Sequence, residues 1–328
     1  MITQRQKRMG VLTSGGDAPG MNAAVRAVTR SAICHGYEVL GIQHGYTGLI
    51  DGQYCTLDAR SVGGIIDRGG TLLGTSRCMR LKTEEGQVAA VNQMRSLLLD
   101  TLIVIGGNGS HEGAYKLTQQ GARVIAVAST IDNDVSSCDV TVGATTALDT
   151  AVQAIDRLRV TASAHGRVFL VEVMGRDTGH LALAAGIAGG AESIVLPEIE
   201  VDPEQIAAQV LAAYQRGKSH AIVVVAEGAR YNADSLANHF LAHRDRLGFE
   251  LRVTKLGHIQ RGGVPGVYDR MIATQLGAAA ADHAVAGEFG LTLGMLNGRV
   301  TGTPLSAVVG TIKPLDRQLY RLAQTLAQ

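Results

Sequence analysis

Tryptophan is absent from this 328-residue chain, and phenylalanine and tyrosine together raise the aromatic share only to 4%. Its cores must therefore be filled mainly by aliphatic side chains. Cysteine is scarce too, with Cys34, Cys55, Cys78 and Cys138 scattered, no Cys-x-x-Cys pair and no histidine at zinc spacing. That excludes a disulfide framework and a structural zinc site, and it leads us to expect a reducing, cytoplasmic setting. Six prolines and no Gly-X-Y period exclude collagen and low-complexity linkers. Charged residues make up 18%, below the usual quarter, and Lys+Arg 30 against Asp+Glu 29 leaves a formal net charge of +1. No global field then favours nucleic acid or an anionic membrane, and the expected partner is a small molecule. No apolar run approaches the roughly 18 residues that span a bilayer. The polar, basic stretch Met1–Arg8 leads straight into a short apolar segment without a signal-peptide core, so a soluble intracellular protein is expected.

What the chain does have is glycine, 41 residues of it, with 46% apolar residues. The length suggests about two domains, each large enough to bury a core. Near-continuous aliphatic runs at Arg8–Thr13, Glu38–Gln43, Thr101–Ile105, Arg123–Ala128, Val168–Val173, Ala221–Ala226 and Arg252–Leu256 suit strands buried on both faces of a parallel sheet. Helical patterns fall between them, at Met21–His35, Gln87–Leu99, Glu112–Gln120, Thr145–Ala164, Pro203–Arg216 and Met271–Ala286. The alternation predicts a doubly wound α/β architecture, in which ligands bind beyond the carboxyl ends of the strands.

Those strand ends are where the glycine gathers. The segment Thr13-Ser14-Gly15-Gly16-Asp17-Ala18-Pro19-Gly20-Met21-Asn22 leads into a helix, so bare N–H groups and a helix N-terminus could receive an anion. It is not a Walker loop, because Met21-Asn22 stand where Lys-Ser/Thr would grip the terminal phosphate and magnesium; alone it reads equally as a tight turn. A second end, Gly106-Gly107-Asn108-Gly109-Ser110, repeats the pattern, and two such loops point to a polyphosphate ligand. Arg68-Gly69-Gly70 and Gly74-Thr75-Ser76-Arg77 place cations beside flexible backbone, with Arg77 either a surface residue or a phosphate clamp. After Val124–Ala128 comes Ser129-Thr130-Ile131-Asp132-Asn133-Asp134, which is an Asx-rich turn or a site where a carboxylate takes a proton from a substrate hydroxyl. Glu172, Met174-Gly175-Arg176 and Glu227-Gly228 follow two later strands. His258 and Arg261, beside Gly262-Gly263, would suit a phosphate dianion.

Taken together, these segments resemble the bacterial-type phosphofructokinase family. The match also includes Thr71, Val173 and the run Leu256-Gly257-His258-Ile259-Gln260-Arg261-Gly262-Gly263, in family order, over roughly residues 8 to 290. The resemblance implies two doubly wound Rossmann-like domains with mostly parallel sheets. The nucleotide domain would hold residues 1–143 with a return segment 260–307, and the sugar-phosphate domain residues 144–259 with 308–328. It implies MgATP-dependent phosphorylation of the 1-hydroxyl of fructose 6-phosphate, usually by a homotetramer. Asp132 would be the general base, beside Thr130 and Asp134, and Arg176 would stabilise the moving phosphoryl group. Gly16, Arg77, Cys78, Gly107, Asn108, Gly109 and Ser110 would line the nucleotide site, with Asn108 at the magnesium position. Met174, Gly175 and Glu227 would hold the sugar and His258 and Arg261 its 6-phosphate, while Arg167 and Arg252 would reach a neighbouring subunit's site.

The chain also departs from the family pattern. Asn108 replaces an aspartate associated with magnesium, offering a neutral oxygen where a hard cation prefers an anion. Pyrophosphate-dependent relatives carry an aspartate at Gly109 and a lysine at Ser129, so Gly109 favours ATP while Ser129 fits neither class. Cys78 and Lys82 stand where an aromatic residue and an arginine are common, which weakens purine stacking. An effector site for ADP or phosphoenolpyruvate is half preserved: Arg26, Arg30, Arg159, Glu192, Arg216 and Lys218 match it, but Ala59, Gly63, Gly64 and Ser219 do not, and altered allostery is expected. The alternatives are a weakly active or inactive regulatory paralogue, pyrophosphate as donor, or another phosphorylated sugar as acceptor.

Overall fold

The computed structural model describes residues 5–136 and 138–327; the first four residues of the polar N-terminal stretch and the final residue of the C-terminal segment lie outside them. Its strands are β1 (Arg8–Ser14), β2 (Glu38–Ile42), β3 (Tyr54–Leu57), β4 (Thr101–Gly106), β5 (Val124–Ala128), β6 (Val168–Val173), β7 (Ser193–Val195), β8 (Ala221–Ala226), β9 (Leu251–Lys255), β10 (Leu291–Leu296) and β11 (Arg299–Pro304). The helices are α1 (Met21–Cys34), α2 (Gly45–Asp51), α3 (Glu84–Ser96), α4 (Asn108–Gln119), α5 (Ala144–His165), α6 (His180–Ala188), α7 (Pro203–Gln215), α8 (Ala233–Ala242), α9 (Arg244–Leu247), α10 (Val267–Ala286), α11 (Leu305–Val308) and α12 (Arg317–Leu326). The chain divides into two compact units, residues 1–145 with 261–313, and 146–260 with 314–328. No helix among the described residues is long and apolar enough to cross a membrane.

The first unit is built on a seven-stranded sheet in the order β11-β10-β5-β4-β1-β2-β3. Its centre is parallel, with Ser14 in register with Gly106, and Gly106 with Ala128, so three adjacent strands end level with one another. Only β3 and β11 run antiparallel to their neighbours. The second unit has an all-parallel sheet in the order β7-β8-β6-β9. Its strand β8 shows why the apolar runs are continuous. Ile222, Val224 and Ala226 enter one core, and Ala221, Val223 and Val225 enter the core on the opposite face. A strand covered on both sides has no face left for polar residues.

All seven strands expected from the sequence are present, and β3, β7, β10 and β11 add to them. Of these, β7 has three residues and β3 and β11 leave much of their length to solvent, so these three lack a long buried aliphatic run, whereas β10 is buried from Thr292 to Met295 and was missed. Helix starts differ more than strands. The helix expected from Glu112 begins at Asn108, directly after Gly107 in extended backbone, so Asn108, Gly109 and Ser110 form its first turn rather than a loop. The one expected from Gln87 begins at Glu84, where the Thr83 side chain accepts from Gly86 N and caps the helix.

Helices α1 and α10 approach so closely that a Cβ on Gly277 would stand 2.6 Å from the Ala24 carbonyl oxygen and 2.9 Å from the Ala27 methyl. Both obstacles are rigid, so the position admits no side chain without parting the helices. Gly277→Leu is therefore expected to cost about 1–3 kcal/mol, read as a lower midpoint in thermal unfolding; an unchanged midpoint would contradict this packing.

Candidate functional site

In the first unit the level ends of β1, β4 and β5 carry most of the residues singled out in the sequence. Their glycines are sites of close approach. A Cβ on Gly106 would lie 2.5 Å from Ser14 O and 2.4 Å from Ser110 Oγ, and one on Gly107 would lie 3.1 Å from Thr130 Cβ. Gly15 and Gly20 have φ of +88° and +105°, which side-chain-bearing residues rarely adopt. A Cβ on Gly109, by contrast, meets nothing within 4 Å, so this first turn of α4 faces open space.

The glycine clusters are also tied to one another. Thr75 Oγ1 donates to Gly15 O at 2.7 Å, and Thr13 Oγ1 donates to Gly74 O at 2.9 Å. Asn22, set where a Walker loop would carry a cation-binding hydroxyl, is buried and does structural work. Its Nδ2 donates to Arg68 O at 3.0 Å and Gly69 O at 3.3 Å, and its Oδ1 accepts from Leu72 N at 2.6 Å. Gly69 in turn approaches the Gly263 carbonyl, where a Cβ would lie 2.8 Å away. This cross-linking places Arg77 two residues beyond the Thr75 anchor with its side chain exposed, while Cys78 is half-buried against the core. Cys78 therefore packs inward and offers no stacking face of aromatic kind.

Arg261 is placed differently from its sequence partner. It is buried, and its Nη1 donates to Asp17 O at 3.1 Å; a Cβ on Gly16 would collide with that same guanidinium at 2.3 Å. The arginine thus lies against the first glycine loop, whereas His258 sits exposed in a helical turn, Gly257–Gln260, of the second unit.

The polar knot after β5 is held by its own chain. Thr130 Oγ1 accepts from Asp132 N at 3.2 Å, Thr141 Oγ1 donates to Thr130 O at 2.6 Å, and Asn133 Oδ1 accepts from Thr141 N at 3.0 Å. Asp132 is 5% exposed. Asn133 takes φ 52°, a left-handed conformation that asparagine tolerates and that sets the turn between Asp132 and Asp134. Asn108 Nδ2 donates to Asp134 O at 3.2 Å, which fixes the amide and leaves Oδ1 available. Ser129 is fully buried, its hydroxyl donating to Val142 O at 3.4 Å.

In the second unit, β6 ends in the turn Met174-Gly175-Arg176. Glu227, after the neighbouring β8, accepts from Gly175 N at 3.3 Å and Arg176 N at 2.9 Å through one carboxylate oxygen. Arg176 has φ 52°, a left-handed conformation costing about 1–3 kcal/mol in a residue of this kind. It persists because its surroundings leave no alternative: a Cβ on Gly228 would lie 1.8 Å from Arg176 O. Gln260, a motif residue to which the sequence assigns no role, is fully buried and its Oε1 accepts from Met174 N at 2.9 Å. Arg167 and Arg252 converge on one exposed carboxylate, Glu250, at 2.7 Å and 3.7 Å. The Arg167 hydrogen bond holds the Glu250 carboxyl below its ordinary range.

The effector-type residues divide between the units. Arg26 and Arg30 lie on α1, where Arg30 donates to Ala59 O at 3.1 Å. In the second unit Glu192 is buried, paired with Lys218 at 2.8 Å and accepting from Ile222 N at 2.6 Å. Arg216 donates to Ala327 O at 2.9 Å, and Arg159 donates to Gly189 O. Glu192 and Arg216 line a cavity of about 560 Å³ together with Tyr320 and Gln324.

Comparison with known proteins gives one family. The phosphofructokinase model matches residues 8–284. An ATP-dependent 6-phosphofructokinase of Natranaerobius thermophilus is 47% identical over 98% of this chain and 99% of its own length, and an ATP-dependent 6-phosphofructokinase 1 of Thermus thermophilus is 49% identical with the same coverage. Among solved structures, Pichia pastoris phosphofructokinase in the T-state superimposes with a TM-score of 0.86 at 35% identity, over 99% of this chain and 39% of that longer one.

His111, in the first turns of α4 and fully buried, yields a pH test of the glycine-loop scaffold. Burial pushes its pKa down to about 4 from 6.5. The unfolded chain then binds the proton more readily, so as pH falls from about 6.5 to 4 this residue withdraws stability, up to about 3 kcal/mol. Thermal unfolding should fall less steeply over that window in His111→Phe than in the unmodified protein; parallel curves would contradict the burial.

Proposed function

The chain belongs to the phosphofructokinase family, and from that membership we infer that it phosphorylates fructose 6-phosphate with ATP, a step of glycolysis. The observation that carries the reading is near-full-length identity of 47–49% to relatives named for ATP-dependent activity. The open space at Gly109 agrees with it, since a nucleotide needs room where an aspartate would intrude. No specific observation favours a non-catalytic paralogue, pyrophosphate as donor or another sugar phosphate as acceptor.

In this reading the glycine loops of the first unit hold the nucleotide. Bare N–H groups around Gly16 and Gly107 to Gly109 meet phosphate oxygens, with the Ser110 hydroxyl beside them, Arg77 as an exposed clamp and Cys78 contributing to the site's wall. Asp132 takes the proton from the sugar 1-hydroxyl as that oxygen attacks the γ-phosphorus of ATP, and ADP leaves. Thr130 fixes the start of that turn and Asp134 completes it. Arg176 meets the negative charge spread over the transferring group, its left-handed backbone aiming it from a turn that Glu227 secures. Met174, Gly175 and Glu227 hold the sugar, and His258 and Arg261 its 6-phosphate. Arg167 and Arg252 serve a neighbouring copy's sugar, so the active unit is a homo-oligomer, with a tetramer as the family-based expectation.

Magnesium fits the residues present. Asn108 supplies an oxygen donor of the hard type it prefers, and its amide is fixed by the bond to Asp134 O, which leaves Oδ1 for the ion. Bound with ATP at Asn108, the ion would neutralise phosphate charge. A neutral ligand there does this less well than a carboxylate. Arg26, Arg30, Arg159, Glu192, Arg216 and Lys218 form the effector site for ADP or phosphoenolpyruvate, with altered response. The setting is cytoplasmic, in keeping with four unpaired thiols.

A coupled assay of the purified chain with fructose 6-phosphate, comparing ATP, GTP and pyrophosphate across a magnesium range, is expected to give turnover with ATP; binding without turnover would reject the reading. Asp132→Asn is expected to lower kcat by about 10²–10⁴. Asn108→Asp should reduce the magnesium concentration needed for half-maximal rate, and an unchanged titration curve would count against its place at the metal.

A further inference from the structure

Away from the strand ends, the second unit gathers three metal-ligating side chains on its surface. Glu204 lies in the first turn of α7, its position set by Asp202, whose side chain accepts from Glu204 N at 2.9 Å and caps the helix. His239 lies on α8 and His243 directly follows it, an i,i+4 pair on one helical face. The ligand atoms of the three all fall within 4.8 Å of one another.

The donors are gathered in one place, with His239 Nε2 and Glu204 Oε1 sharing a hydrogen bond whose proton an ion displaces. His239 Nε2 and Glu204 Oε1 are 2.9 Å apart, and the two imidazole rings are 4.6 Å apart centre to centre. A tetrahedral ion with bonds of roughly 2.0–2.1 Å separates its ligand atoms by roughly 3.3 Å, so the observed spacing needs only a small adjustment. His243 Nδ1 sits 2.8 Å from the His239 main-chain oxygen, which can only accept, so Nδ1 carries the proton. That leaves His243 Nε2 with a lone pair in the neutral ring, the tautomer that a carbonyl partner selects in metal-bound histidines.

We propose that Glu204, His239 and His243 form a binding site for a divalent transition ion of the Zn²⁺, Ni²⁺ or Cu²⁺ type. Two imidazole nitrogens and one carboxylate suit those ions, whereas Mg²⁺ demands oxygen donors and does not compete. The site is therefore separate in chemistry and in place from any magnesium at Asn108. Its competitor is Arg246, which donates to both oxygens of Glu204 at 2.7 and 2.8 Å. That pair is more than half exposed on the arginine side, and exposed ion pairs contribute little. The ion displaces the guanidinium and joins the start of α7 to the end of α8.

The test is calorimetric titration of Zn²⁺ into the chelator-stripped full-length protein, with magnesium held at millimolar excess. Ten histidines and four cysteines offer other weak sites, so the reading is the difference between proteins. The unmodified chain should bind one more equivalent than His239→Ala/His243→Ala, and His243→Ala alone should weaken that equivalent at least about tenfold. Arg246→Ala, which frees the carboxylate, should tighten it. All variants should keep the basal phosphotransfer rate and the circular dichroism of the parent, which shows them folded. Equal stoichiometry and affinity in the parent and the double variant, or no tightening in Arg246→Ala, would overturn the site.

Discussion

At the ends of β1, β4 and β5 main chains meet with no space between them for a side chain. A single methyl on Gly106 would stand 2.5 Å from the Ser14 carbonyl oxygen, and Gly106 is in register with Ser14 on one side and Ala128 on the other. The parallel register levels the three ends, and the glycines at and after two of them, Gly15-Gly16 and Gly106-Gly107, carry no Cβ to cover the main chain. Much of the remaining structure of the first unit serves to keep this bare backbone in place. Asn22 holds the 68–72 loop through three hydrogen bonds, Thr75 pins Gly15, and Tyr46 donates to Ser110 O at 2.6 Å from within the core. In the proposed reading, phosphate binding draws on dipoles that are already aimed, and little has to be ordered when the ligand arrives.

The second unit meets the same demand by a different device. The turn Met174-Gly175-Arg176, which we propose holds the sugar, is not crowded into place by glycines alone. It is held by two side chains from elsewhere, Glu227 after β8 and the buried Gln260. Through these contacts the left-handed Arg176 keeps an orientation that its own backbone preference would not choose. Arg167 and Arg252, meanwhile, share Glu250 on the surface, which keeps both guanidiniums together at one edge of the sheet.

Much of this was legible in the sequence, and for a physical reason. Strands buried on both faces must be aliphatic throughout, so β4, β5, β6 and β8 announce themselves, and the glycines that follow β1 and β4 mark the proposed ligand site. The short or exposed strands β3, β7 and β11 have no such obligation and left no pattern. The start of α4 was hidden because Asn108-Gly109-Ser110 are poor helix formers; the first turn is imposed by tertiary packing around Gly106 and Ser110. Side-chain-to-backbone braces were the least visible. Nothing in the spacing of Asn22 or Gln260 reveals that each reaches main chain 46 to 86 residues away. The placement of Arg261 against Gly16, 245 residues earlier, likewise has no signal in the spacing.

In the proposed function ATP is admitted because the first turn of α4 opens onto free space at Gly109. Steady-state kinetics of Gly109→Asp with fructose 6-phosphate test it most directly, since the backbone there is helical and accepts a side chain without strain. The account predicts a fall in kcat/KM for ATP of at least about tenfold, about 1.4 kcal/mol of transition-state stabilisation, with thermal stability unchanged. An unaltered kcat/KM for ATP in the folded variant would contradict it.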